Sequence, residues 1–242
     1  MNATVIIPTT GEGEVNYAIE SVLDQTLKTK IYLVCDGEKF RPKVEKILED
    51  YVIPGEEEQI KVCYLPLNVG ANGFYGHRIY AAFTHLIDTD YVLYLDQDNW
   101  YETNHVASCI STIETYNLDW CYSLRNIYNK SAEFECRDDC ESLGKWTPYT
   151  NYNHIDTNCY CIKTPIAIRL ASVWHGGWGQ DRVFLSAISQ HFTNYDCTGD
   201  YTVNYRLDGN PGSVTADFFK SGNNVVNEKY DGDFPWNHKK TL

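Results

Sequence analysis

Two carboxylates one residue apart, Asp96 and Asp98 in Leu93-Tyr94-Leu95-Asp96-Gln97-Asp98-Asn99, are the residues of this 242-residue chain best placed to do chemistry. They follow Tyr91-Val92-Leu93-Tyr94-Leu95, an apolar run that reads as a buried strand, so both fall just past a strand end. Paired carboxylate oxygens suit a hard divalent cation such as Mg2+ or Mn2+, which keeps open positions for the phosphate oxygens of a substrate. A solvated turn can carry the same tripeptide, and it is the preceding apolar run that favours a site. Cysteine is the other residue type with chemical reach. Nine are present, and Cys136/Cys140 with Cys159/Cys161 could offer four thiolates to a tetrahedral zinc. Their C-x3-C and C-x-C spacings differ from the usual C-x2-C knuckle, and an odd, irregularly spaced set makes a poor disulfide framework. Buried free thiols are the expected state.

The charge balance narrows the partners. Twenty basic against 33 acidic side chains give a net charge of −13. Such a surface repels nucleic-acid backbones and anionic lipids, so neither is an expected partner. A phosphate-bearing ligand would need local cations or a metal ion. The composition, 43% hydrophobic and 22% charged, is that of a folded globular chain. No apolar run approaches the roughly 20 residues of a membrane span, so stable membrane insertion is not expected. The opening Met1-Asn2-Ala3-Thr4-Val5-Ile6-Ile7-Pro8 has neither the basic flank nor the apolar length of a signal peptide. A cytoplasmic protein is expected.

The elements that must position Asp96 and Asp98 alternate in type. Thr4–Ile7, Ile31–Cys35, Ile60–Leu65 and Tyr91–Leu95 read as strands. Between them lie helical faces carrying Val15, Ile19, Val22 and Leu23, then Val44, Ile47, Leu48 and Tyr51, then Ile79, Phe83, Leu86 and Ile87. Such alternation predicts a parallel sheet covered on both faces, with ligands bound beyond the strand C-termini. The second half is less regular. Val106, Ile110 and Ile113 mark a helix, Trp120–Arg125 and Tyr160–Ile162 mark strands, and 129–154 reads as a long excursion. Thr164-Pro165 reads as an N-cap and first helical residue, and Val183, Phe184 and Ile188 mark a further helix. One domain over 1–242 is expected: a nucleotide-binding half to residue 99, a second half over 100–209, and a loop-rich tail over 210–242.

The order of short motifs resembles glycosyltransferase family 2. Val5-Ile6-Ile7-Pro8-Thr9-Thr10, the helix segment Ser21-Val22-Leu23-Asp24-Gln25 and Val34-Cys35-Asp36-Gly37 are similar to its opening. Asn68-Val69-Gly70 with downstream Gly76-His77-Arg78, then Asp96-Gln97-Asp98, then Gly176-Gly177-Trp178-Gly179-Gln180-Asp181 follow in the family's order. The resemblance covers about residues 3–190 and implies an α/β chain of GT-A type. A Rossmann-like half with a mixed sheet would bind the donor, and the other half the acceptor. It implies metal-dependent, inverting transfer from a nucleotide-diphosphate sugar, most simply a uridine nucleotide, to a glycan or glycoconjugate hydroxyl. Pro8, Thr9, Asn68 and Gln97 would line the donor, Asp36 would accept a hydrogen bond from the base, and Arg78 would lie near base or diphosphate. Asp96 would contact ribose or metal, Asp98 would ligate Mn2+ or Mg2+, and Asp181 would be the catalytic base.

Departures from the pattern mark where that transfer is weakest. The acidic neighbour usual before the base is Gln180 here, and the second strand ends in Asp36-Gly37 where Asp-Asp is common. A third protein ligand is not fixed by the motifs; His175 is the candidate, with His154 and His191 behind it. Trp146, Tyr149, Tyr152, Tyr160, Trp174 and Trp178 crowd the acceptor half. Rings stack on sugar faces as readily as they fill cores, and Trp146 and Trp178, with Gly177 leaving room, are the expected acceptor platform. Two other readings compete: a nucleotidyltransferase acting on a sugar phosphate, and a non-catalytic glycan-binding module. The first usually needs a basic Gly-rich loop after β-strand one, and Thr9-Thr10-Gly11-Glu12-Gly13-Glu14 has no Lys or Arg.

Overall fold

The computed structural model describes residues 2–51, 59–150, 152–208 and 213–238. Its first half is a run of β1 (Ala3–Thr9), α1 (Val15–Leu23), β2 (Thr29–Cys35), α2 (Arg41–Leu48), β3 (Ile60–Tyr64), α3 (His77–Phe83) and β4 (Tyr91–Tyr94). β1 is buried at all seven positions, as a strand covered on both faces must be. β2, β1 and β4 pair in parallel, and β3 joins the far side of β2 in the same sense. Val15, Ala18, Ile19 and Val22 of α1 pack on this sheet, at the helical spacing the sequence shows. Pro42 occupies the first turn of α2, where its missing N–H costs nothing.

The second half completes the same sheet with mixed directions. It holds β5 (Trp100–Tyr101), α4 (His105–Thr115), β6 (Trp120–Tyr128), β7 (Phe134–Arg137), β8 (Tyr160–Lys163), α5 (Thr164–Leu170), α6 (Gln180–His191), β9 (Tyr195–Arg206) and α7 (Ala216–Lys229). The strand order is β3-β2-β1-β4-β8-β6-β9-β5, with β7 on the side of β6. β8 runs antiparallel to both β4 and β6, whereas β9 runs parallel to β6. These directions bring four chain segments to one sheet edge: the C-terminal ends of β1, β2 and β4, and the N-terminal end of β8.

The sequence reading differs from the structure at identifiable places. Thr164 is the first residue of α5 and Lys163 its cap, so the expected threonine cap is absent. The excursion 129–154 contains β7, which hairpins back onto β6. β9 and α7 were unforeseen, and the expected loop-rich tail instead carries a 14-residue helix capped by the Thr215 side chain on Phe218 N–H. α7 seats Phe219 and Val226 in a second apolar cluster with Leu124, Ile127, Leu143 and Trp236. At Gly222 a Cβ would stand 2.7 Å from Cys140 Sγ, so only glycine permits that approach. Residues 209–212 and 239–242 of the tail lie outside the described residues. All nine cysteines are free; Cys63, Cys136 and Cys197 are half-buried and the others buried. Among the described residues, no group of three or more His, Cys, Asp or Glu side chains converges to hold a metal ion, zinc at the cysteines included. No described helix is long and apolar enough to cross a membrane.

Candidate active site

A cleft of about 440 Å3 opens at the shared sheet edge. β1 delivers Pro8 and Thr9 to it, β2 delivers Asp36, the loop after β3 delivers Asn68, and β4 delivers Asp96, Gln97 and Asp98. Trp178, in the turn before α6, and Asp181, in its first helical turn, face the same cleft. Residues distant in sequence therefore meet because three parallel strands end together.

Polar contacts fix the floor. Thr9 Oγ1 and Thr10 N–H donate to Gln97 Oε1 at 2.8 and 3.0 Å, tying β1 to the loop after β4. Asp36 accepts from Val69 N–H at 2.7 Å and Gly70 N–H at 2.9 Å, which folds the Asn68 loop over the end of β2. Gly70 cannot be larger, since a Cβ would lie 2.0 Å from Tyr75 O and 2.6 Å from Asp36 Oδ2.

Asp96 is held on both oxygens. Tyr80 O–H donates to Oδ1 at 2.7 Å and Asn158 Nδ2 to Oδ2 at 3.1 Å, while Asp96 N–H donates back to Asn158 Oδ1 at 2.6 Å. Burial and the charge of Asp156 nevertheless push its carboxyl up from the ordinary range. Burial, then the neighbouring Asp96, raises Asp98 to about 7. Two half-buried carboxylates that resist ionisation side by side are the surroundings in which a cation is stabilising.

Behind this floor lies a charged network that the sequence did not disclose. Arg125, on β6 and 2% exposed, reaches Asp138 at 2.8 Å, Glu141 at 2.5 Å and Asp156 at 2.6 Å. Asp156 Oδ1 accepts from Asn158 Nδ2 at 2.7 Å, so one chain of bonds runs from Arg125 to Asp96. On the other flank His154 Nε2 lies 2.6 Å from Asp181 Oδ2. The signal that could have found Asp156 and Asn158 is topological: they directly precede β8, whose antiparallel course puts its start beside the end of β4.

Several expected site residues stand elsewhere. Arg78 stacks its guanidinium 3.2 Å from the Phe74 ring centroid and bonds Val69 O, and does not line the cleft; His77 lines it instead, held at 3.3 Å from Gly176 O. His175, expected as a metal ligand, is exposed at the end of the 3-10 turn Ala171–His175 and is not among the lining residues. Gly177 approaches Gly73 O and also stands outside the lining. Trp146 packs against Trp236 and lines a separate cleft with Lys145 and Asp196, the lysine paired with that aspartate. Trp174 and Tyr160 are core residues, Trp174 stacked on Phe184 with centroids 4.0 Å apart. Trp178 is 77% exposed at the mouth, where Arg182 lies between its ring and that of Tyr152.

The profile of glycosyl transferase family 2 matches residues 4–175, from β1 through the turn ahead of Trp178. The chain belongs to glycosyl transferase family 2. Among solved structures, S. aureus TarS 1–349 in complex with UDP-GlcNAc superposes with a TM-score of 0.67 at 14% identity, over 95% of this chain and 66% of that one. TarS 1–349 in complex with UDP gives 0.63 at 15% identity, over 86% of this chain and 61% of that one. The family 2 chain thus spans about three fifths of that relative's length, and the likeness is one of fold: the GT-A fold with its curled mixed sheet. Over 57 residues it is also 42% identical to an uncharacterized protein of Haemophilus influenzae, covering 24% of this chain and 38% of that protein.

Proposed function

We propose that this family 2 chain transfers a sugar, with inversion, from a uridine-diphosphate sugar to a hydroxyl of a glycan or glycoconjugate, with Mn2+ or Mg2+ at Asp98 and Asp96. The observation that carries the reading is that Asp96, Asp98 and Asp181 face one cleft. The donor assignment is supported by fold likeness to a TarS chain whose structures hold UDP and UDP-GlcNAc. A soluble, cytoplasmic site of action is part of the same proposal.

The residues fit the cation. Asp98 and Asp96 offer hard oxygens only, and with no third converging ligand among the described residues the phosphates and water would fill the remaining positions. When bound, the ion offsets negative charge developing on the departing diphosphate. Asp36 and the Asn68 loop form one wall for the nucleoside, with Thr9, Thr10 and Gln97 as the floor. Asp181 takes the proton of the acceptor hydroxyl as its oxygen attacks the anomeric carbon, and the carbon–oxygen bond to the diphosphate breaks with its electron pair leaving on the nucleotide. Trp178 offers an exposed ring beside that hydroxyl.

Calorimetric titration with UDP tests the donor half. Binding should require Mn2+ and should weaken about tenfold or more in Asp98→Asn, by analogy with losses at other metal sites. Asp181→Asn should bind UDP as the wild type does and lose turnover by about 10^2–10^4-fold, the worth of a general base. Metal-independent binding indifferent to Asp98 would sink the donor assignment, and full turnover by Asp181→Asn would sink the base.

A further inference from the structure

We propose that His154 is the positioning residue of the base: as an imidazolium it holds Asp181 by one oxygen and leaves the other for the acceptor proton. This deepens the reading above and rests on it. No motif pointed to the pair, because the two residues lie on different elements, His154 in the segment before β8 and Asp181 in the first turn of α6.

The geometry defines the arrangement. His154 is buried, and its Nε2 lies 2.6 Å from Asp181 Oδ2. Asp181 lines the cleft and accepts Arg182 N–H on Oδ1 at 2.8 Å, so that oxygen keeps a free lone pair. The second ring nitrogen, Nδ1, is buried without a hydrogen-bond partner and faces Glu141 Oε2 at 4.0 Å. A neutral ring would leave an unpaired lone pair aimed at a carboxylate. A doubly protonated ring points N–H at both acids.

Charge counting reaches the same state. The groups facing His154 are Asp181, Glu141 and Arg125. Arg125 is already shared among Asp138, Glu141 and Asp156, so a single guanidinium serves three buried carboxylates before Asp181 is added. A second buried cation reduces that excess. Burial alone would lower the imidazole, yet Asp181 and Glu141 together raise it; burial would raise Asp181, yet His154 lowers it. Both shifts favour the ion pair.

The pair also accounts for Gln180. Its Nε2 donates to Val173 O, away from Asp181, so the side chain before the base takes no part in setting the charge of the base. That task falls to His154 from across the cleft wall. A carboxylate held this way is fully ionised at neutral pH and fixed in orientation, which is what in-line proton transfer requires.

Nitrogen-15 spectra of the imidazole rings decide the first half without any substrate. Among the seven histidines, the ring missing from the His154→Gln spectrum should carry protons on both nitrogens at pH 7.5. In Asp181→Asn its titration should move down by about one unit or more. A neutral ring at that pH, or a titration unmoved by Asp181→Asn, overturns the proposal; should His154→Gln not fold, the ring whose titration moves in Asp181→Asn is the His154 ring, and the absence of any such ring overturns the proposal equally. The second half uses UDP release from UDP-N-acetylglucosamine with water as acceptor. His154→Gln should keep UDP affinity and lose kcat by about 10–100-fold, and the acid limb of its pH profile should move up, since Asp181 loses the cation that keeps it ionised. Wild-type kcat and profile in His154→Gln with Asp181→Asn inactive would refute the positioning role and leave the base intact. Normal turnover in Asp181→Asn would refute the base, while the spectra still decide the pair.

Discussion

Replacing Arg125 by methionine should cost more stability at pH 7.5 than at pH 4.5, and the structure sets both the size and the direction. Arg125 is 2% exposed and is the shared partner of Asp138, Glu141 and Asp156, all within 2.8 Å. Breaking a buried ion pair by removing one partner costs about 3–5 kcal/mol, because the survivor is left charged and unsolvated. For a chain of this size each kcal/mol moves Tm by about 2–4 °C, so a fall of about 6–20 °C is expected at neutral pH. The pH dependence follows from Asp138. Burial pushes its carboxyl up, but Arg125 and the backbone donors of Glu141 and Ser142 outweigh burial and hold it below the ordinary range. In the wild type that contribution is present above the unfolded value of about 4 and fades as pH falls through the folded one. Without Arg125 only the backbone donors still oppose the burial penalty at Asp138. It is absent when the three acids are protonated and grows as pH rises. Thermal unfolding followed by circular dichroism at pH 4.5, 6 and 7.5 measures this. A Tm loss under 2 °C, or one equal at all three values, would refute the reasoning that the guanidinium neutralises this cluster.

Three further outcomes can be checked on the same preparations. Gly70→Ala should lower UDP affinity by about tenfold and cost about 1–3 kcal/mol, since the new Cβ forces the Asp36 bond to Gly70 N–H apart; Gly13→Ala, where nothing lies within 4 Å, should do neither. Thr215→Ala should cost about 1 kcal/mol in thermal unfolding by uncapping α7 at Phe218 N–H. A chromogenic disulfide should react within minutes with no more than Cys63, Cys136 and Cys197 in the native protein and with all nine thiols in denaturant; burial pushes the Cys136 thiol up to about 11, slowing it further.

The parts of the fold legible in the sequence are those where burial is continuous. β1 and β4 are buried at every position and β2 from Leu33 to Cys35, so apolar runs mark them, and the α1 stripe repeats at three and four. β9 escaped because Thr198-Gly199-Asp200 interrupts it where the pairing with β6 slips register, and Gly199 adopts φ +78° there. α7 escaped because Gly222-Asn223-Asn224 breaks its propensity, a cost accepted for the contact with Cys140. At the site, residues carried by the first half came into the cleft at the strand ends where the motifs put them. Arg78 did not, since the Phe74 ring one turn back captures its guanidinium. Trp146 did not, since nothing in a local pattern records that Arg125 ties Asp138, Glu141 and Asp156 together or that Trp146 packs against Trp236. Long-range ion pairs leave no periodic trace.

The antiparallel β8, lodged between two strands that precede it in the chain, has a consequence for how the molecule is made. Leu93 pairs with Cys161, yet β6 and the whole excursion are synthesised between them. At about 5–20 residues per second, β4 waits roughly 3–14 s on the ribosome with one edge of Tyr91-Val92-Leu93-Tyr94 unpaired. That edge is apolar and free of charge, the kind of template that recruits a neighbouring chain. Half the sheet can condense early, but its centre closes only when residues beyond 160 emerge. Nascent chains of intermediate length are therefore the ones that most need a chaperone, and crowded synthesis would lose more product to aggregation there than at either end.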